Sequence, residues 1–480
     1  MMNISVMTLL FLLSINVLAL SEQGIIQKIL DHHKLFESNE IDMFIQQQRL
    51  QSKEDSYYGW HLDLTAKYGL EKDSTDKDTG YTYTKNQTKT ARNIGLKLST
   101  AFKNGTSFNI GFDRKLPVDD QEKYKDSSLY TDQNLSEHDN ILTTKFNIPL
   151  LKNSGGGENK KLYDIAEIDQ KIEALKLLEN KEDEVEDALI AFIDLAMNIR
   201  RLQIYKDRLS ALEGLKEHTK NSKNDSRLLT EKIQKTQTEK SKSKSNLEVS
   251  ILTLKNFIDF DKNDLSAINF NPDVRSILIK NSQKYLRKYS RDFQINKLDI
   301  DKKQHYIDSY KDKSLPDFDV NLSHVKTQNK GNYSSYSYKN SNEYKFSIDL
   351  SYPLSGDPVN DHNLFKSELE KRKKLTDYEA DLKDKILDIR VLSNELASEN
   401  RTLESYYQIK LKQRNTTELD SYLAGSGNIR FVLDEIYEHY QIQSDYADAL
   451  TNYHQKRIQY DNFLDRLIVN DRCYFCENYK

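Results

Sequence analysis

Apolar side chains are scarce for a chain of this length. Of 480 residues, 37% are hydrophobic and 30% charged, and the mean hydropathy is -0.78. A compact chain this long would bury a thick core and be richer in apolar residues. The shortage argues against two or three ordinary globular domains. It suits thin or extended architecture, such as coiled coils or walls around water. Disorder would also be apolar-poor, but 29 tyrosines and a regular apolar periodicity count against it.

Charge of one sign is lacking too. The net charge is -4 and no basic stripe carries interleaved aromatics, so nucleic acid is not expected as a partner. After the first 20 residues no run approaches the ~20 consecutive apolar residues of a membrane-spanning helix. An exported chain of this kind crosses a membrane only as a β-barrel. The only cysteines are Cys473 and Cys476. A C-x-x-C pair can be redox-active or half of a zinc site. No βαβ pattern or second ligand pair accompanies this one, so a tail disulfide or two plain thiols is expected. There is no phosphate-binding glycine loop and no His-Glu-x-x-His, and Gly425-Ser426-Gly427 lacks the spacing of a serine elbow. His32-His33 reads as surface. The chain is therefore read as a non-enzyme, with no catalytic residues, metal ligands or cofactors.

What is present begins with an address. Met7 to Leu20 is almost wholly apolar, and Val17-Leu18-Ala19 places small residues before a cleavage point. A signal peptide is expected over residues 1–19, although its n-region carries no Lys or Arg. No cysteine follows, so no lipid anchor is expected. Residues 22–52 then read as a helix.

At Trp60 the period changes to two. Trp60, Leu62, Leu64, Ala66, Tyr68 and Leu70 alternate with His61, Asp63, Thr65, Lys67 and Gly69, the pattern of a strand with one dry and one wet face. The pattern returns at Ile94–Phe102 with Lys97 on the polar side. After the hairpin dipeptide Asn104-Gly105, Phe108, Ile110 and Phe112 face away from Asp113. Phe146 and Ile148 face away from Lys145, and Phe318 and Val320 from Asp319. Phe346, Ile348 and Leu350 face away from Asp349. A soluble sandwich strand would look similar. Six such strands on an exported chain, too few for a sandwich, favour a transmembrane barrel. Tyr57, Tyr58, Trp60, Tyr344 and Tyr352 suit interfacial girdles.

Between the strand groups the period is helical. Leu162, Ile165, Ile168, Ile172 and Leu175 open a proline-free series that continues to Leu215. A helix of about 80–90 Å follows from 1.5 Å per residue. Leu375 to Ile409 repeats the pattern, and both read as coiled-coil packing. Gln234 to Ser245 has no apolar residue and predicts a solvated or locally loose helix.

The chain also repeats itself. Pro149-Leu150 and Pro353-Leu354 each end a strand and precede a glycine-containing turn. From Pro353 to Gly427 is 74 residues, and the same step from Pro149 reaches residue 223, inside the polar break Asn221–Ser226. Both halves send out a helix of equal length and return. The strand regions differ, 92 residues against 37, which assigns an extra hairpin around Asn104-Gly105 to the first half.

In the order and spacing of these features the chain resembles the TolC-like outer-membrane efflux proteins over nearly its whole mature length. The carrying residues are the strand-Pro-Leu-Gly turns, the strand entry Leu315-Pro316 and the run Gly427-Asn-Ile-Arg-Phe-Val-Leu-Asp. The resemblance implies an α plus β membrane protein with two internal structural repeats. It implies a trimeric transmembrane β-barrel continued by a long antiparallel α-helical coiled-coil periplasmic tunnel. The expected segments are a signal peptide (1–19), an N-terminal helix (20–56) and a first barrel region (57–150). A helical hairpin follows over 151–312, with its tip near 221–226 and a break over 257–272. A second barrel hairpin (313–354), a second helical hairpin (355–468, tip near 424–428) and a tail (469–480) complete the chain.

Expected partners are two further copies in a homotrimer, outer-membrane lipid, a periplasmic adaptor protein and an inner-membrane transporter. The adaptor would dock at Asn221, Ser222, Lys223, Gly425, Ser426, Gly427 and Asn428. The first tip lacks the glycine, and Phe431 stands where an acidic residue is common, which leaves the tunnel-gating carboxylates unassigned and Asp434 as a candidate. The expected function is passive exit for cargo delivered by an inner-membrane pump, in efflux or type I secretion. An exported coiled-coil stalk or adhesin without a pore is the competing expectation; it accounts for the helices but not for six amphipathic strands.

Overall fold

The structure, a computed structural model, describes residues 20–78, 82–116, 120–124, 132–133, 138–220, 222–261, 265, 268–330, 340–352, 354, 356–412, 421, 428–469 and 472–473. They fall into two units. One comprises residues 44–171 and 298–375, and the other residues 1–43, 172–297 and 376–480.

A single antiparallel sheet organises the first unit. Its strands are β1 His61–Asp78, β2 Thr82–Ala101, β3 Ser107–Leu116, β4 Asp120–Tyr124, β5 Asp132–Gln133, β6 His138–Pro149, β7 Asp317–Lys330 and β8 Ser341–Ser351. Six long strands lie in the order β1-β2-β3-β6-β7-β8, each antiparallel to the next. Beyond the reach of β3, residues 85–88 of β2 pair instead with β4. The first hairpin runs well past the alternating segments, to Asp78 and from Thr82. Ladder hydrogen bonds join backbones and need no apolar side chain, so alternation alone ends these strands too early.

Every pairing keeps the two faces separate. Leu64 stands opposite Leu96, Leu96 opposite Phe112, Phe108 opposite Phe146, Phe146 opposite Leu322, and Leu322 opposite Phe346. A slip of one residue in any ladder would turn that strand's apolar set to the other face.

Two tight turns anchor the sheet. At Asn104-Gly105 the Phe102 N–H donates to the Thr106 carbonyl at 2.8 Å, and Gly105 has φ +88. A side chain at Gly105 would be strained by that φ, and its Cβ would meet the Asn153 carbonyl oxygen at 2.1 Å. Beyond β6 the chain turns through Asn153–Gly157 and enters a helix. There the Asn153 N–H donates to Asp312 at 3.1 Å and the Gly155 N–H to the Asn104 carbonyl at 3.1 Å.

The helices are α1 Glu22–Leu30, α2 His33–Tyr58, α3 Gly157–Gly214, α4 Lys216–Thr219, α5 Lys223–Lys255, α6 Ser282–Tyr289, α7 Arg291–Lys313, α8 Pro358–Lys412 and α9 Ile429–Asn462. At 58 residues, α3 is about 87 Å long. Leu189, Phe192, Ile193 and Leu195 of α3 are almost wholly buried in the second unit's core, with Ile25, Ile26 and Ile29 of α1 and Ala447 and Leu450 of α9. Two short strands, β9 Ile468–Val469 and β10 Arg472–Cys473, pair after α9.

Two sequence expectations are corrected and a third is sharpened. The helix expected over 22–52 is two helices, parted at Asp31-His32 and ending at Tyr58. The return segment expected to be helical from residue 273 is non-helical up to Asn281. Its backbone is held by α9 and the segment after it: the Ile279 N–H donates to the Tyr460 hydroxyl at 3.0 Å, and Arg466 donates to the Ile277 carbonyl at 2.7 Å. Gln234–Ser245 is a mostly exposed stretch of the continuous helix α5, as the solvated-helix expectation has it, but Thr236 and Ser243 within it are buried. Leu229, Thr236, Ser243 and Ser250 recur every seven residues and are all buried. The Thr236 and Ser250 hydroxyls donate to the carbonyls four residues earlier at 2.9 and 3.1 Å. Small side chains satisfied on their own helix can sit in a packed seam without being apolar.

Candidate functional site

The sheet presents a largely apolar face, six long strands wide, on which Thr144, His324 and Lys326 are polar exceptions. Leu62, Leu64, Ile94, Leu96, Phe112, Phe146, Phe346 and Leu350 are exposed on it. Few monomeric soluble proteins leave a contiguous patch of this extent uncovered. Near the helical junction the face carries an aromatic row. Trp60 meets Phe108 edge-on at 6.2 Å, and Phe108 meets Phe146 at 4.5 Å. Of the residues expected to face lipid, Leu62, Leu64, Phe108, Ile110, Phe146, Ile148, Phe318, Val320, Phe346, Ile348 and Leu350 share this face, with Trp60 one residue ahead of β1.

The opposite face is polar. Asp63, Lys67, Lys97, Asp113, Lys145, Asp319 and Asp349 all lie on it, with Asp63 opposite Lys97 and Asp319 opposite Asp349. Its hydrogen bonds cross strands: Asn147 donates to Asn321 at 3.0 Å and Asn321 to Asp349 at 2.7 Å. Gly95 leaves room there for the Asp113 carboxylate, which a Cβ would meet at 2.3 Å.

A second cluster forms where α3, α5 and α9 meet near the expected tips. Leu209, Leu212 and Leu215 pack with Leu229 and Ile233 of α5 and with Ile429, Val432 and Leu433 of α9. The Val432-Leu433 pair singled out in the sequence is buried here, while Phe431 is exposed. Ser222 caps α5 by accepting from the Asp225 N–H at 3.3 Å, and Asn428 caps α9 by accepting from the Arg430 N–H at 2.9 Å. Lys223 is the first residue of α5. Asn221, Gly425, Ser426 and Gly427 lie outside the described residues.

Beside this small core sits a charged link. Asp434 of α9 pairs with Lys232 of α5 at 3.1 Å. Two turns further along α5, Glu239 pairs with Arg208 of α3, which is 1% exposed. Its guanidinium lies 5.0 Å from the Tyr205 ring and 4.6 Å from the Tyr437 ring, and Tyr437 donates to Glu239 at 3.1 Å. Burial lowers the Arg208 pKa from its ordinary value. For Tyr437 burial acts upward, but Lys235 and Arg208 outweigh it and hold the phenol below its ordinary range. Arg208, Glu239 and Tyr437 were not singled out in the sequence. The available signal was Tyr205 one turn before Arg208 on the same helix face.

Among the described residues no three metal-ligating side chains converge, and no helix is long and apolar enough to cross a membrane.

No protein-family model matches this sequence, and no curated protein matches it. Solved structures do. A membrane protein from Pseudomonas aeruginosa is similar with a TM-score of 0.59 at 12% identity, over 92% of this chain and 90% of that one. The open state of the MtrE outer-membrane channel of Neisseria gonorrhoeae gives 0.58 at 11%, over 92% and 88%. The CmeC outer-membrane channel of Campylobacter jejuni gives 0.53 at 12%, over 92% and 85%. The fold expected from the resemblance, that of the TolC-like outer-membrane channels, is therefore the fold of this chain.

Proposed function

We propose that this chain, with the fold of an outer-membrane channel, is one subunit of a homotrimeric exit duct. The duct carries substrates passively from an inner-membrane pump, in a tripartite efflux or type I secretion system. The observation that carries the reading is the sheet: a largely apolar face backed by a hydrated polar one. Such a sheet is stable in a bilayer only when its free edges are closed by other copies. The apolar face would meet outer-membrane lipid, and the polar face would line the bore. Asp63, Lys67, Lys97, Asp113, Lys145, Asp319 and Asp349 mix both signs, which suits a water-filled path of low ion preference. A coiled-coil stalk or adhesin without a pore has no use for that face.

The tips are the proposed contacts for a periplasmic adaptor, through Ser222, Lys223 and Asn428 and the neighbouring Asn221 and Gly425–Gly427. The gate belongs beside them. Lys232–Asp434 is a partly exposed pair, and such pairs are worth about 0–1 kcal/mol. In Arg208–Glu239 the guanidinium is buried and flanked by two tyrosines while Glu239 is partly exposed, so separating the pair strands the buried Arg208 charge and costs more. Asp434 is thus the minor member of the latch and Glu239 the major one.

Fractionation of cells tests the assignment. Outer-membrane fractions should contain the chain as trimers that dissociate on heating, and an adaptor should be cross-linked through Ser222 or Asn428. Recovery as a soluble monomer would contradict it.

A further inference from the structure

The hairpin that sets this chain apart from a simple four-strand subunit lies in the wall. β2 and β3 stand between β1 and β6, with β3 and residues 92–99 of β2 paired on both sides: His61 to Ser99 joins β1 to β2, Ala101 to Ser107 joins β2 to β3, and Ser107 to Asn147 joins β3 to β6. Its apolar residues continue the face of the flanking strands without a break in parity. Its turn is also built into the junction with the helices. Lys103 pairs with Glu54 at 3.6 Å and lies 4.9 Å from the Tyr163 ring, and the Asn104 carbonyl accepts from Gly155. A hairpin meant to fold away as a loop or plug would need neither the register nor this anchorage.

The two edges suit one another. β1 and β8 pair with no second strand among the described residues, and β8 is exposed along its whole length. Five successive antiparallel pairings make β1 and β8 run in opposite directions. A second copy's β8 can therefore add to β1 in antiparallel sense. Both edges put their exposed apolar residues on the same face, Leu62, Leu64 and Tyr68 on β1 and Tyr344, Phe346 and Leu350 on β8. The unpaired edges thus call for a further copy of this chain.

We propose that the closed wall has eighteen strands, six from each of three copies, with β1 of each copy bonded to β8 of the next. The proposal rests on the homotrimeric reading above. Barrel diameter grows roughly linearly with strand number, so the bore is about one and a half times as wide as in a trimer of four-strand subunits. Walls of that size leave an open aqueous channel instead of one filled by side chains.

Electron cryo-microscopy of the full-length oligomer in detergent separates the two levels. Three subunits and eighteen wall strands are expected. Three subunits with twelve wall strands, the β2–β3 hairpin lying elsewhere, would overturn the inference and leave the channel reading standing. A particle without three-fold symmetry would overturn both. An independent check places a fluorophore on the hairpin in a Cys473→Ser, Cys476→Ser background, at Leu96→Cys or Phe112→Cys. In vesicles, lipid-borne nitroxides should quench these labels as strongly as one at Leu350→Cys, at least twofold more than one at Lys97→Cys. Equal quenching at Leu96 and Lys97 would place the hairpin off the lipid face and overturn the inference. Oligomers surviving in mild detergent show that a variant has folded.

Discussion

Buried charge sets the residue-scale energetics of the helical unit. Glu182 is fully buried, accepts from the Leu467 N–H at 2.5 Å and pairs with Arg291, whose own N–H donates to Asp465 at 2.7 Å. Removing one partner of such a pair strands the other. Glu182→Ala should destabilise the chain by about 3–5 kcal/mol, read as an earlier thermal loss of helical circular dichroism. Glu179 lies in the same cluster with a different role. Burial, with Asp465 adding to it, raises its carboxyl to about 8. The unfolded chain gives up this proton above about pH 4.5, while the folded chain keeps it to about pH 8, so stability falls across that window. Glu179→Gln should therefore gain on the native chain as pH rises from about 5 to about 8, in parallel thermal melts. A constant difference between the two would show that Glu179 does not titrate in this window. Arg291 remains paired with Glu182 in this variant. None of this cluster was legible in the sequence, because Glu179, Glu182, Arg291 and Asp465 come together only through packing of distant segments.

At the scale of elements, periodicity revealed some features and concealed others. The strand faces were legible because a period of two has one physical meaning, and the length of α3 because nothing in Leu162–Leu215 interrupts a helix. The exposed helix α5 was read correctly, but its seam was missed because Thr236, Ser243 and Ser250 are buried residues that hydropathy scores as solvent-facing. Ser243 tests that account. Its hydroxyl is buried and without a hydrogen-bond partner in the structure. Ser243→Ala should leave stability unchanged or raise it by about 1 kcal/mol, whereas Ser243→Leu should overfill the seam and cost about 1–3 kcal/mol. Thermal melts of the two variants should move in opposite directions. If both behaved as surface substitutions, α5 would have no packed seam there. The proposed gate was only half legible. Asp434 was a candidate from its place beside Val432-Leu433, but the neighbouring Arg208–Glu239 pair needed the juxtaposition of α3 and α5.

For the whole molecule, the claim is a hydrated path through a wall, closed at one end by the helical latch. The fold shared with solved outer-membrane channels was readable from the order of strands, Pro-Leu turns and long helices. The place of the Asn104-Gly105 hairpin was not, since alternation cannot say which strands are neighbours. The most direct measurement is single-channel recording of the purified oligomer in planar bilayers, native beside Glu239→Gln and Asp434→Asn. Ohmic conductance with weak ion preference is expected. Glu239→Gln should raise the conductance or open fraction several-fold, and Asp434→Asn should raise it less. An oligomer that inserts but conducts in neither native nor variant form would contradict the account.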